Sequence, residues 1–154
     1  SNPYTGILSI FSTRILNNNH INIFEDGKES RDFIFIDDVV DATILAIEDD
    51  KLQSCSLNVG SGVSTTIKKV ADSLIKLFKS KVDVKIIGNY RQGDIRHNKA
   101  DINKIKKILG FSPKVSFESG LKQYVEWVKK QEINADYYEH SINEMKDKGL
   151  IKWK

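Results

Sequence analysis

Four side chains in this chain have the type and placement to hold an anion: Arg31, Asn58, Arg91 and Arg96. Each lies in a loop beside a segment with strand character. Arg31 stands just before the apolar run Phe33-Ile34-Phe35-Ile36. Asn58 sits in Leu57-Asn58-Val59, which closes with Gly60-Ser61-Gly62. Arg91 and Arg96 flank Gly93 in the polar loop Tyr90 to His97. Loops at the strand ends of α/β sheets are where ligands bind. A guanidinium offers a planar fork of donors that gives an oxyanion two charge-assisted hydrogen bonds at once. Two or three such groups converging would neutralise a diphosphate. Taken singly, each reads as a solvated surface residue, so convergence decides.

Other chemistries find less support. The sequence has no GxGxxG, no GxxxxGK[ST] and no HExxH. Gly60-Ser61-Gly62, after a strand and before a helix, resembles the start of a phosphate loop but lacks the third glycine. His20, His97 and His140 have no partner spacing, so no metal site is expected. Cys55, the single cysteine, excludes an internal disulfide, carries no nucleophile signature and suits a reducing cytoplasm. The carboxylate pairs Asp37-Asp38 and Asp49-Asp50 read as helix-end residues. Net charge is +3, from 24 basic and 21 acidic residues, without an arginine-rich block. That balance does not call for nucleic acid. No apolar stretch approaches the roughly 20 residues of a membrane span, and no signal peptide is visible. Ser1-Asn2-Pro3-Tyr4-Thr5-Gly6 has no initiator methionine and reads as a cut from something longer, or as a tag remnant in its first two residues.

These side chains need elements to position them. The 154 residues, 40% apolar, fit one ordinary domain. Ile7, Leu8, Phe11, Ile15 and Leu16 lie on one helical face, stopped by Asn17-Asn18-Asn19, residues tolerant of left-handed backbone. Ile21, Ile23 and Phe24 make a short strand, and Asp26-Gly27 a turn. Phe33 to Ile36 is expected as a strand buried on both faces. Asp37 and Asp38 are expected to supply an N-cap and an early helical carboxylate, with Val39, Val40, Thr43, Ile44 and Ile47 following at helical spacing. Leu57 to Val59 is expected as a strand, and Thr65 or Thr66 as the cap of a helix with Ile67, Val70, Ala71, Leu74, Ile75 and Phe78 inward. Val82 to Ile87 gives another strand. Asp101 and Ser116 start two further helices, the first ending at Gly110, and a polar tail helix follows from Asn134. The fold class is α/β (α+β), with short strands and five or six helices. So few strands make a poor sheet alone, which suits a fragment that leans on another sheet.

One family carries these residues in this order and spacing. Asp26-Gly27 through Arg31-Asp32-Phe33 to Asp37-Asp38-Val39, Asn58-Val59-Gly60, Arg91-Gln92-Gly93-Asp94-Ile95-Arg96 with Ala100-Asp101, Leu109 to Pro113, Gly120-Leu121 and Glu126-Trp127 resemble the NAD-dependent epimerase/dehydratase family of nucleotide-sugar enzymes, the extended short-chain dehydrogenases. The opening residues and the tail ending Lys148-Gly149-Leu150 look most like its dTDP-L-rhamnose 4-epimerase branch. The resemblance implies a two-part enzyme. An N-terminal Rossmann domain binds NAD and carries a Tyr-x-x-x-Lys pair; a C-terminal part grips the nucleotide diphosphate. This chain resembles the second part: residues 1–133 as the nucleotide-sugar-binding portion and 134–154 as a tail helix. No tyrosine here is followed four residues later by lysine, so no catalytic residue is expected in this chain. In such enzymes a tyrosinate takes the 4-hydroxyl proton while hydride passes to NAD, and the 4-keto sugar turns over before hydride returns.

By the same resemblance, Arg31 and Arg91 would contact the diphosphate, Asn58 and Arg96 would assist at that group or the nucleoside, and the backbone of Asn22-Ile23-Phe24 would face the base. Thr5-Gly6-Ile7 stands where the family often has a phosphate-binding asparagine. The implied ligand is a dTDP- or UDP-sugar, and the implied parent is a cytoplasmic homodimer. Two other classes compete: a non-catalytic module binding anions or a partner protein, and a small nucleic-acid binder, against which the weak charge argues.

Overall fold

The structure, a computed structural model, describes residues 6–50, 52, 54–132 and 135–152. Among them lie six helices and six short strands: α1 (Ile7–Leu16), β1 (Ile21–Ile23), β2 (Ser30–Asp32), α2 (Ile36–Glu48), β3 (Ser64–Thr66), α3 (Ile67–Phe78), β4 (Val84–Ile86), β5 (Tyr90–Arg91), α4 (Asn103–Leu109), α5 (Phe117–Val128), α6 (Tyr138–Asp147) and β6 (Ile151–Lys152). The strands form three two-stranded ladders. β1 and β4 run parallel, with Ile21 opposite Val84 and Ile23 opposite Ile86. β2 pairs antiparallel with β3, Arg31 facing Thr65. β5 pairs antiparallel with β6, Arg91 facing Ile151.

α3 is the hub. Val70, Ala71 and Leu74 on its inner face are fully buried, and it packs on α1, α5 and β1. Phe11 and Ile15 of α1, Ile21 and Ile23 of β1, and Leu121 and Val125 of α5 complete the main core. Two of the expected caps form, while α4 has Ile102 rather than Asp101 at its N-cap. The Thr66 hydroxyl accepts from Lys69 N at 3.2 Å, and that of Ser116 from Ser119 N at 3.2 Å. Each satisfies an amide that has no partner inside its helix. Asn18 takes left-handed backbone, φ 55°, just after α1, and Gly110 ends α4 in the same region.

Four expectations are corrected. The strand lies at Ser30–Asp32, one step before Phe33 to Ile36, because pairing with Ser64–Thr66 sets its place. Phe33 instead packs its ring on Phe117, centroids 5.4 Å apart. Leu57 to Val59 has no strand partner; the ladder forms at Ser64–Thr66. α2 starts at Ile36 with Phe35 at the N-cap, so Asp37 and Asp38 lie within its first turn. Asp38, 1% exposed, accepts from Lys114 N at 2.9 Å and Val115 N at 3.1 Å, and so fastens the entry to α5. Finally, α2 fully buries only Asp38 and Ala42. Val40, Ile44 and Ile47 stay 47%, 45% and 77% exposed. A run of exposed aliphatic side chains on one helix marks a contact surface.

Asp38→Asn tests the fastening. An amide presents one acceptor and one donor, so its NH2 must face the amide of Lys114 or Val115. The expected loss is about 1–2 kcal/mol of folding stability, read as a lower urea midpoint with an unchanged slope.

Candidate functional site

Where α1, β1 and α6 come together lies an open-sided cavity of about 770 Å³. Ile7, Ile10 and Phe11 of α1 line one side, Asn22, Ile23 and Phe24 a second, and Tyr138, Ile142 and Met145 of α6 a third. Arg31 and Arg91 both open onto this space. The volume falls in the range of small-molecule sites, and its apolar walls carry two arginines with Glu29, Asp94 and Asp136 beside them.

The two arginines differ in how they are held. Arg31, on β2, donates through Nη1 to the carbonyl of Ser30 at 2.9 Å and to that of Arg96 at 3.2 Å. Its Nη2 donates to Asp94 Oδ1 at 2.8 Å. The guanidinium is thus aimed before any ligand arrives. Arg91 sits on β5, and its Nε is buried without a hydrogen-bond partner. A buried unpaired donor is costly and marks a place where an acceptor belongs. Glu29, 8% exposed, also lines the cavity. Burial pushes its pKa up, helped by the nearby charges of Glu25 and Asp26.

The other expected residues lie elsewhere. Arg96 does not line the cavity. Its guanidinium bonds both oxygens of Asp26, at 2.9 and 2.8 Å, approaches Glu29 at 3.4 Å and also donates to Glu25. Three carboxylates compete successfully for one cation, so Arg96 braces the 25–29 turn. Asn58 is exposed, and its Nδ2 donates to the Asp101 carbonyl at 3.4 Å, away from the cavity. Sequence reasoning passed over Tyr138, Glu29 and Asp94 as cavity residues. Only Asp94 carried a visible signal, three residues after Arg91 in Arg-Gln-Gly-Asp.

The Arg96 cluster has a pH signature. The Arg96 hydrogen bond, with the Lys28 amide, lowers the Asp26 pKa from 3.8 to about 2. A carboxylate with a depressed folded pKa stabilises the fold above its unfolded value, and that contribution fades as pH falls from about 3.8 to about 2. Carboxyl NMR titration should place Asp26 near 2, and clearly higher in Arg96→Ala, where the Lys28 amide still holds it below its ordinary value. An unmoved Asp26 would show that the cluster does not exist.

The Gly60-Ser61-Gly62 turn does not suit a dinucleotide. Its amides already bind an anion, the carboxylate of Asp32. Ser61 N donates to it at 2.8 Å, Gly62 N at 3.0 Å and Ala100 N at 3.1 Å, with the Ser61 hydroxyl as a fourth donor. A Cβ at Gly60 would lie 2.5 Å from the Ala100 Cβ and 2.7 Å from Asp32 Oδ2, which explains the glycine. The residues of this turn therefore do not fit NAD.

The parallel β1–β4 ladder backed by α3, with six helices and short strands around it, matches part of a Rossmann-type fold. The chain belongs to the NAD-dependent nucleotide-sugar epimerase/dehydratase family: the family model described as GDP-mannose 4,6 dehydratase matches residues 5–124. It is 32% identical over 128 residues to a dTDP-L-rhamnose 4-epimerase of Burkholderia thailandensis, covering 83% of this chain and 35% of that protein. It is 36% identical over 110 residues to a UDP-glucuronate 4-epimerase of Thermodesulfobacterium geofontis, covering 71% and 33%. Among solved structures it resembles the UDP-glucose 4-epimerase of Thermotoga maritima with UDP-glucose, at TM-score 0.75 and 37% identity, over 84% of this chain and 41% of that one. The UDP-glucuronic acid 4-epimerase of Bacillus cereus, solved with UDP-glucuronic acid and NAD, gives TM-score 0.75 at 26% identity, over 84% and 41%. NAD is the cofactor of this family. The chain spans about a third of the length of these two curated relatives. No helix among the described residues is long and apolar enough to cross a membrane.

Proposed function

We propose that this chain is the nucleotide-sugar-gripping part of an NAD-dependent 4-epimerase, with a 4,6-dehydratase or decarboxylase as the nearest alternative chemistry. The observation that carries the reading is the shared cavity of Arg31 and Arg91. Two forked cations on one space suit a nucleoside diphosphate, which would displace Asp94 from Arg31 on binding. The apolar walls from Ile23, Phe24 and Tyr138 suit the flat face of a base and one face of a sugar. Relatives whose names specify UDP- and dTDP-sugars support that ligand class. Oxidation at the sugar belongs to an NAD-binding part of a longer, homodimeric parent. The exposed face of α2, with Val40, Ile44 and Ile47, is the seat we assign to that part.

Calorimetric titration of the full-length protein with UDP and dTDP tests the reading. Wild type should bind at least one of them. Arg31→Ala should bind about tenfold more weakly, the loss of one charge-assisted contact. Equal affinity for UDP, dTDP and free pyrophosphate, with a steep salt dependence, would instead favour a general anion-binding module.

A further inference from the structure

The cavity's third wall comes from the C-terminal segment, and one buried arginine outside the cavity lining holds that segment in place. Arg14 lies on α1 with 3% of its surface exposed. It does not line the cavity. Its Nε donates to the His20 carbonyl at 2.8 Å, which ties it to the start of β1. Its Nη1 donates to Glu139 Oε1 at 2.9 Å and lies 3.3 Å from Asp136 Oδ2. The guanidinium carbon stands 4.5 Å from the centre of the Tyr138 ring, within cation–π range. Asp136 spreads the tie further. Its Oδ2 accepts from Asn19 Nδ2 at 2.8 Å, and its Oδ1 from Tyr138 N at 3.0 Å. The start of α6 is thereby fastened to α1 and the loop after it.

The far end of the same segment has a second fastening. Leu150 O accepts from Gln92 N at 2.8 Å, and Ile151–Lys152 pairs with Tyr90–Arg91. The strand that carries Arg91 has its ladder partner in the C-terminal segment. α6 between the two fastenings presents Tyr138, Ile142 and Met145 to the cavity.

We infer that residues 135–152 act as a clasp and that Arg14 is its positioning residue. It sets the placement of Tyr138 and Arg91, and so the affinity for ligand, without touching ligand itself. The inference rests on the cavity being the nucleotide-diphosphate site. Arg14 suits this role because a buried guanidinium must keep its partners. Its carboxylate partners Asp136 and Glu139 lie on the C-terminal segment, so undocking that segment would strip the guanidinium of both and leave it only the His20 carbonyl. Loosening the clasp lowers the binding-competent fraction, and apparent affinity falls in proportion.

The test combines hydrogen exchange with UDP titration on the full-length protein. In Arg14→Ala, amides of α6 and the Gln92 amide should exchange faster, while those of α3 around Val70 and Leu74 keep their protection. Saturating UDP should restore slow exchange. The UDP dissociation constant should rise about tenfold, as expected when the competent fraction drops to about a tenth. Arg14→Lys keeps the charge but loses the fork and should fall between. Should Arg14→Ala fail to fold, Glu139→Gln together with Asp136→Asn weakens the same fastening from its C-terminal side and should give the same exchange pattern. Unchanged exchange at 138–152 and Gln92 with unchanged affinity overturns the clasp. Should wild type not bind UDP or dTDP at all, the ligand reading fails. The clasp is then judged by exchange alone, where loosening at Gln92 upholds it and no change rejects it.

Discussion

Asp32→Ala is expected to destabilise this domain by about 3 kcal/mol, because it strips one acceptor group from four donors at once. The carboxylate receives the amides of Ser61, Gly62 and Ala100 and the Ser61 hydroxyl. Each donor left without a partner away from water costs about 1–3 kcal/mol, and water entering the gap recovers part of that. Burial alone would raise the Asp32 pKa, but the four hydrogen bonds outweigh it and the net shift is downward. The sign follows: the bonds favour the ionised form, so the contribution is present above the unfolded carboxylate range and is lost as pH falls below it. Asp32→Asn keeps one acceptor and turns a donor on the others, so it should cost more than half of the alanine effect. Urea unfolding at neutral pH measures both, with the slope as control. A loss under 1 kcal/mol in Asp32→Ala would mean that the 60–62 turn holds its shape without this carboxylate.

The second large effect is on binding. Arg91→Ala should weaken UDP or dTDP binding to the full-length protein by about 1.5–3 kcal/mol, roughly 10- to 150-fold. The expected loss exceeds that for Arg31, and the reason lies in the free protein. Arg31 already has three partners, the carbonyls of Ser30 and Arg96 and the Asp94 carboxylate. A ligand there partly exchanges one acceptor for another. Arg91 Nε has no protein partner, so a phosphate oxygen would add a protein–ligand bond there without displacing a protein acceptor. Arg91→Lys should recover only part of the loss, since an ammonium lacks the fork. Calorimetry reads the affinity, and thermal unfolding confirms that the variant is folded. Full affinity in a folded Arg91→Ala would remove the diphosphate assignment from this cavity.

The elements that were legible in the sequence share a property. α3 and α5 combine a strong apolar period with a capping hydroxyl three residues before the amide it serves, Thr66 with Lys69 and Ser116 with Ser119. Both signals are local. The misplaced elements depend on partners far along the chain. Ser30–Asp32 has a polar strand sequence and is a strand only because Ser64–Thr66 lies beside it. Phe33, in the run that read as the strand, goes to an aromatic contact 84 positions away, with Phe117. The apolar side chains of α2 imply burial, but no surface among the described residues covers Val40, Ile44 or Ile47. Arg14 gave no sign at all: a cation on an otherwise apolar helix face reads as exposed until Glu139, 125 positions on, is brought to it.

By itself the sequence determined the main helices, the absence of a dinucleotide loop and catalytic pair in these residues, and the motif set that places the chain in its family. Periodicity, caps and spacing are properties of neighbours in the chain. Only the tertiary structure decided that Arg31 and Arg91 share a cavity while Arg96 is drawn into Glu25, Asp26 and Glu29 and Asn58 stays outside. A guanidinium goes to whichever oxygens the fold sets within reach, and that choice is made between residues about 70 positions apart.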